Sequence, residues 1–83
     1  MFKVYILFSE QRNKFYIGET SDYLEERLRR HNSNHKGFTG GSADWRLVYF
    51  EEFSDKPTAL KREKELKGWK SKRMLQKLIG KEM

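Results

Sequence analysis

Phe2-Lys3-Val4-Tyr5-Ile6-Leu7-Phe8 and Phe15-Tyr16-Ile17-Gly18-Glu19 decide the fold. The first run is rich in aromatic and β-branched residues, which suit a pleated surface, and it stops at the polar cluster Ser9-Glu10-Gln11-Arg12-Asn13. That cluster has hairpin length, so the two runs are expected to pair antiparallel. Apolar side chains stand on both faces of the first run, Val4, Ile6 and Phe8 on one and Tyr5 and Leu7 on the other. Such a strand suits a sheet covered by helices on both sides better than one with a wet face.

Outward from this hairpin the period changes. From Thr20 to Asn34, Leu24, Leu28 and His31 recur at helical spacing, with Ser21 or Asp22 as N-cap and Glu25 and Glu26 in the first turns. Residues 35 to 45 hold three glycines and little periodicity, which predicts a flexible surface loop. Arg46 to Glu52 reads as a third strand. Ser54-Asp55-Lys56-Pro57 offers a cap and a first-turn proline for a second helix that runs to about Leu66 and stops at Gly68. Trp69 to Ile79 predicts a third, basic helix with Met74, Leu75, Leu78 and Ile79 as its apolar stripe. The order β-β-α-β-α-α implies an α+β fold, a three-stranded antiparallel sheet flanked by helices.

The chain has 83 residues, 36% of them hydrophobic and 36% charged, with one proline and no cysteine. That length suits a single domain over residues 1–83 and leaves no room for two cores. Without cysteine, disulfides, thiol nucleophiles and cysteine zinc sites are excluded, and a reducing compartment is permitted. No apolar stretch approaches the roughly 18 to 20 residues needed to span a bilayer, and Met1 leads directly into strand-like sequence, so a cytoplasmic, unprocessed protein is expected. The net charge is +6, unevenly placed: residues 1–55 balance at −1 and residues 56–83 at +7. A basic face of this kind attracts polyanions, nucleic acid first and anionic membrane second.

Three features do not fit a purely structural domain. At about 100° per residue, Glu63 falls within roughly 60° of Ala59 and Leu66, inside the apolar arc of the second helix, whereas Glu65 points away. An ionised group placed there requires a cation from the chain, a metal or a water-filled cleft. Arg27 and His31, spaced i, i+4, project beside Leu24 and Leu28. An ion pair of Arg27 with Glu63 and a half-buried core role for His31 are the structural alternatives. Finally, any register in which paired positions sum to an odd number puts Tyr5 and Tyr16 on one sheet face. Gly18 shares that face, and its missing side chain predicts a hole through which a ligand or backbone could approach. Two histidines make a poor zinc site, so a hard ion such as Mg²⁺ or Mn²⁺ suits Glu63 better.

Lys3-Val4-Tyr5, then Tyr16-Ile17-Gly18, an arginine on the next helix and a glutamate on the following one resemble the GIY-YIG nuclease family over about residues 2 to 80. Val4-Tyr5-Ile6-Leu7, Tyr16-Ile17-Gly18-Glu19-Thr20, the Leu24 to Asn32 segment and Arg62-Glu63-Lys64-Glu65-Leu66-Lys67-Gly68-Trp69 are similar to its small stand-alone bacterial members. Lys3 departs from the glycine of the first motif, and Ile79-Gly80-Lys81-Glu82-Met83 lacks the asparagine that many members carry after the last helix. The resemblance implies phosphodiester hydrolysis with one Mg²⁺ or Mn²⁺ ion held by a single carboxylate. It assigns Tyr5 and Tyr16 as the motif tyrosines, Arg27 as the helix arginine, Glu63 as the metal ligand and His31 as the histidine found one turn later in some members. It suggests a DNA substrate of low intrinsic specificity and a role in repair or recombination.

The expected partner is nucleic acid, bound through Lys36, Arg46, Lys67, Lys70, Lys72 and Arg73, with Phe38 and Trp45 meeting a splayed strand or Trp45 sitting in the core. A larger partner protein or a weak homodimer remains compatible with this reading. The competing class is a nucleic-acid-binding module of the same fold without turnover.

Overall fold

A computed structural model describes residues 1–33 and 44–82 of the chain. Strands β1 (Phe2–Ser9), β2 (Lys14–Thr20) and β3 (Arg46–Phe53) form one antiparallel sheet in the order β2-β1-β3, and helices α1 (Leu24–Ser33), α2 (Lys56–Gly68) and α3 (Lys72–Glu82) complete the α+β architecture. The element order is the expected one. No helix among the described residues is long and apolar enough to cross a membrane.

β1 is central, and its two-sided apolar pattern is used on both faces. Val4 and Ile6 join Ile17, Tyr49, Ala59, Leu66 and Leu75 in one core beneath α2 and α3. Tyr5 and Leu7 join Trp45 in a second core, with Tyr16, Leu24 and Leu28 packed against it. Burial of these side chains, worth about 25 cal/mol per Å² of apolar surface, is the main force holding the helices to the sheet. Between Ile6 and Leu7 the β1–β3 register slips: Ile6 pairs with Tyr49 and Leu7 with Leu47, leaving Val48 as the extra residue of a bulge. The slip keeps Tyr49 in the first core and Leu47 against the second.

Several local expectations are corrected. α1 begins at Leu24, later than a Ser21 or Asp22 cap implies, because Thr20 Oγ1 accepts from the Asp22 N–H in a local turn and the Tyr23 carbonyl receives the Arg27 N–H. Asp55 caps α2 as expected, accepting from the Thr58 N–H at 2.8 Å. α2 runs two residues past Leu66 and ends at Gly68, as expected, but the left-handed turn after it is made by Lys70, which holds φ 49°. Trp69 therefore lies between the helices, and Ser71 receives the Met74 N–H at the start of α3. Met74 is 44% exposed, so the buried stripe of α3 narrows to Leu75, Leu78 and Ile79.

Candidate active site

The β1–β2 pairing sets Tyr5 opposite Gly18 and Leu7 opposite Tyr16, an odd-sum register that puts both phenols on the α1 face. Gly18 does not leave an open hole. The Tyr5 ring lies across it, and a Cβ there would stand 2.6 Å from Tyr5 Oη. Glycine is required for space, since its backbone is one that any residue adopts.

Tyr5 is 1% exposed, and its hydroxyl meets two groups from α1. His31 Nε2 lies 3.1 Å from Tyr5 Oη, and Arg27 Nη2 donates to the same oxygen at a long 3.5 Å. The i, i+4 spacing of Arg27 and His31 is what brings both to one phenol. The His31 and Tyr16 rings stand 4.5 Å apart and the Tyr5 and Tyr16 rings 6.3 Å apart.

Burial pushes the Tyr5 phenol above its ordinary value, Arg27 partly offsets this, and the charges of Tyr16 and Glu63 push in the same direction as burial. Burial and then the neighbouring Arg27 hold His31 below the usual histidine range, so its imidazole is neutral near pH 7. A neutral His31 with its proton on Nδ1 accepts from the Tyr5 hydroxyl, giving the ordered chain Arg27 N–H to Tyr5 O–H to His31 Nε2. Arg27 Nε is buried and has no hydrogen-bond partner among the described residues. A donor left in that state costs about 1 to 3 kcal/mol, so an acceptor that reached it would be bound with a corresponding gain.

Glu63 approaches from the other side of the sheet. α2 packs on the core opposite α1, and the Glu63 side chain is 19% exposed, paired with Lys67 Nζ at 3.3 Å. The ion pair of Glu63 with Arg27 is not formed: Arg27 is turned to Tyr5. The Glu63 partner, Lys67, lines a groove along the β2 edge that Tyr16 also borders, while Glu63 itself makes no direct contact with either phenol among the described interactions. The buried ion-pair role on α2 falls to the preceding residue. Arg62 donates to both Glu51 oxygens at 2.9 and 3.0 Å, Glu51 also receives the Tyr49 hydroxyl, and Glu65 is the outer partner of Arg62.

No group of three or more His, Cys, Asp or Glu side chains able to hold a metal occurs among the described residues. A closed protein cage is therefore not what these residues offer. A single, half-buried carboxylate fits a hard ion that keeps most of its waters and takes further oxygens from a phosphate.

Of the expected nucleic-acid contacts, Lys36 and Phe38 lie outside the described residues. Trp45 is 2% exposed, in the second core, the second of the two places expected for it. It is held there by Asn32, whose amide bonds both the Trp45 N–H and carbonyl, at 2.9 and 3.0 Å. Arg46 stands on β3, the edge strand opposite β2, paired with Glu10 and above the Phe8 ring, and is not gathered with the other basic residues. Lys67, Lys70 and Lys72 do share a groove. Arg73 is exposed on α3. The sequence reading missed Asp44, which accepts from Ser9 Oγ at 2.6 Å and from the Gln11 N–H at 2.9 Å and so ties the β1–β2 turn to the segment carrying Trp45. Only the polar Ser9 at the end of an apolar strand hinted at such a clasp.

A buried phenol held between a guanidinium and an imidazole on one face of a small α+β domain is the arrangement the family comparison can be set against. The chain belongs to the GIY-YIG family: the model of the GIY-YIG catalytic domain matches residues 1–77. Its function is thereby of the nuclease type. No curated protein and no solved structure matches the chain.

Proposed function

We propose that this protein is a metal-dependent endonuclease that hydrolyses phosphodiester bonds in DNA with low intrinsic sequence specificity. The observation that carries the reading is the Tyr5 hydroxyl, held between His31 Nε2 at 3.1 Å and the Arg27 guanidinium. A phenol raised by burial is protonated at neutral pH and is no phenolate base. It serves as a relay: Tyr5 Oη takes a proton from the attacking water while its own proton passes to the neutral His31 Nε2.

The hydroxide so formed attacks phosphorus as the bond to the 3′ oxygen breaks, and solvent supplies the proton for the leaving oxygen. Arg27, whose Nε has no hydrogen-bond partner among the described residues, donates to the nonbridging oxygens as their charge grows. Tyr16, its ring beside both Tyr5 and His31, orients the pair. Glu63 would hold Mg²⁺ or Mn²⁺, which supplies neutralisation of charge on the phosphate and the departing oxygen. Repair or recombination is the setting such an activity suits, with a larger partner protein to supply the specificity that so small a domain lacks.

The test is cleavage of duplex, branched and single-stranded DNA with Mg²⁺, Mn²⁺ or EDTA, for the wild type and Glu63→Gln. The expected result is metal-dependent nicking that Glu63→Gln removes while DNA binding and the melting temperature stay unchanged. Cleavage that survives both EDTA and Glu63→Gln would overturn the assignment. Binding without any cleavage would favour a module retained for docking alone.

A further inference from the structure

A groove of about 220 Å³ runs along the β2 edge, floored by Phe15, Ile17, Leu66 and Leu75. Four lysines from three elements and one linker rim it: Lys14 on β2, Lys67 on α2, Lys70 in the turn and Lys72 on α3. A second groove of about 300 Å³ shares Phe15, Ile17, Lys67 and Leu75 with the first and adds Tyr16. Through these shared residues the two run from the hairpin turn at Asn13 as far as Tyr16. No acidic residue lines either groove among the described residues. Lys67, at the junction, is the residue whose ammonium sits on Glu63.

From this placement we infer that the β2-edge groove is the track for one nucleic-acid strand, its phosphates on Lys14, Lys67, Lys70 and Lys72 and its sugar faces on the apolar floor. The inference rests on the proposed nuclease reading and adds where the substrate lies. Charge complementarity commits the groove to a polyanion, and its continuity with Tyr16 and with Lys67, the ion-pair partner of Glu63, makes that polyanion the strand being cut. Lys70 strengthens the case: the chain turns there at φ 49°, where glycine would be the easier residue, yet a long cationic side chain occupies the position. Lys72 donates to the Asn13 carbonyl at 2.7 Å, which fixes one end of the track to the hairpin turn. Lys67 has two positions available, on Glu63 in the free protein and on a phosphate once a divalent ion replaces it there.

The experiment compares two double variants that remove the same charge. Lys14→Gln/Lys70→Gln alters the track, and Lys61→Gln/Lys77→Gln alters exposed positions of α2 and α3 that line neither groove. Binding of a fluorescein-labelled branched DNA is titrated from 50 to 200 mM salt without divalent metal, with thermal melts to confirm folding. The track variant is expected to bind about tenfold more weakly and to lose about 1.5 to 2 from the slope of log affinity against log salt, while the control pair keeps the wild-type slope within about 0.5. Equal losses in both pairs would overturn the track and leave the nuclease reading standing, as long as Mg²⁺-dependent cleavage persists in the wild type. A wild type that neither binds nor cuts would overturn both. In a second arm, Lys67→Gln is expected to raise the affinity for Mn²⁺, read by electron paramagnetic resonance, at least threefold. Unchanged Mn²⁺ affinity would refute the two-position role of Lys67.

Discussion

Replacing Gly18 with alanine tests the site more sharply than removal of any catalytic side chain, because it adds one methyl group and leaves every functional group in place. The new Cβ would stand 2.6 Å from Tyr5 Oη, 2.7 Å from Tyr5 Cζ and 3.1 Å from Tyr16 Cε1, where ordinary contact begins at 3.4 Å. The phenol must therefore retreat by about 0.8 Å. A flexible side chain would swing away cheaply, but Tyr5 is a rigid ring at 1% exposure, packed between β1 and α1. Overpacking of this kind costs about 1 to 3 kcal/mol, and the better strand propensity of alanine returns about 0.5 to 1 of that. Net destabilisation of about 0 to 2.5 kcal/mol corresponds to a fall in Tm of up to about 20 °C for a domain of this size. Cleavage should suffer more, because a displacement near 1 Å moves Oη off His31 and Arg27, a misplacement worth about 10²-fold in rate. Thermal melts and single-turnover cleavage at a temperature where the variant is fully folded separate the two effects. Wild-type Tm together with wild-type cleavage would refute the claim that a fixed Tyr5 hydroxyl is the centre of the site.

Three further outcomes follow from the geometry. Arg62→Ala is expected to cost about 2 kcal/mol in urea unfolding, less than a fully buried pair because Arg62 and Glu51 are 24% and 21% exposed; a double-mutant cycle with Glu51→Ala should show coupling, and additive effects would refute the pairing. His31 is held below its ordinary 6.5, so the charged form is disfavoured in the folded state; stability is full above that value and declines as pH falls through the folded one, and cleavage declines with it. Urea midpoints between pH 7 and 5 should be flatter in His31→Gln than in the wild type, and parallel curves would refute this origin of the acid sensitivity. Lys70→Gly should relieve the left-handed strain and raise stability by about 0.5 to 1 kcal/mol while weakening DNA binding, a divergence that melts and titrations on one sample reveal.

The fold was legible because its signals are local. Two-sided apolar alternation in β1, the polar turn after Ser9 and the change of period after Thr20 each fix an element without reference to the rest of the chain. Helix ends were not, because they are settled by competition between nearby hydrogen bonds: Thr20 captures the Asp22 N–H, and a lysine at positive φ takes the place a glycine was expected to fill. The Tyr5, Tyr16, Arg27 and His31 cluster was readable from strand parity and an i, i+4 spacing. The partner of Glu63 was not, since the helical wheel reports direction and not which cation answers; Arg62 goes to Glu51 and Lys67 to Glu63. The sequence left Trp45 open between a ligand contact and the core, because an aromatic residue beside a loop suits either until the Asn32 amide fastens it inside, and it did not show that the strand order sets Arg46 on the edge away from the other basic residues.

The central position of β1 has a consequence for biosynthesis. β1 pairs with β2 inside a stretch of twenty residues, but its other partner, β3, is made about thirty residues later and sets Phe53 opposite Phe2, and Glu63 follows later still. Such distant pairing slows folding relative to helical bundles. A segment that ends after the hairpin carries Tyr5 and Tyr16 without Arg27, His31 or Glu63, so the cluster around the Tyr5 hydroxyl assembles only once α1 has been made and has docked on the sheet.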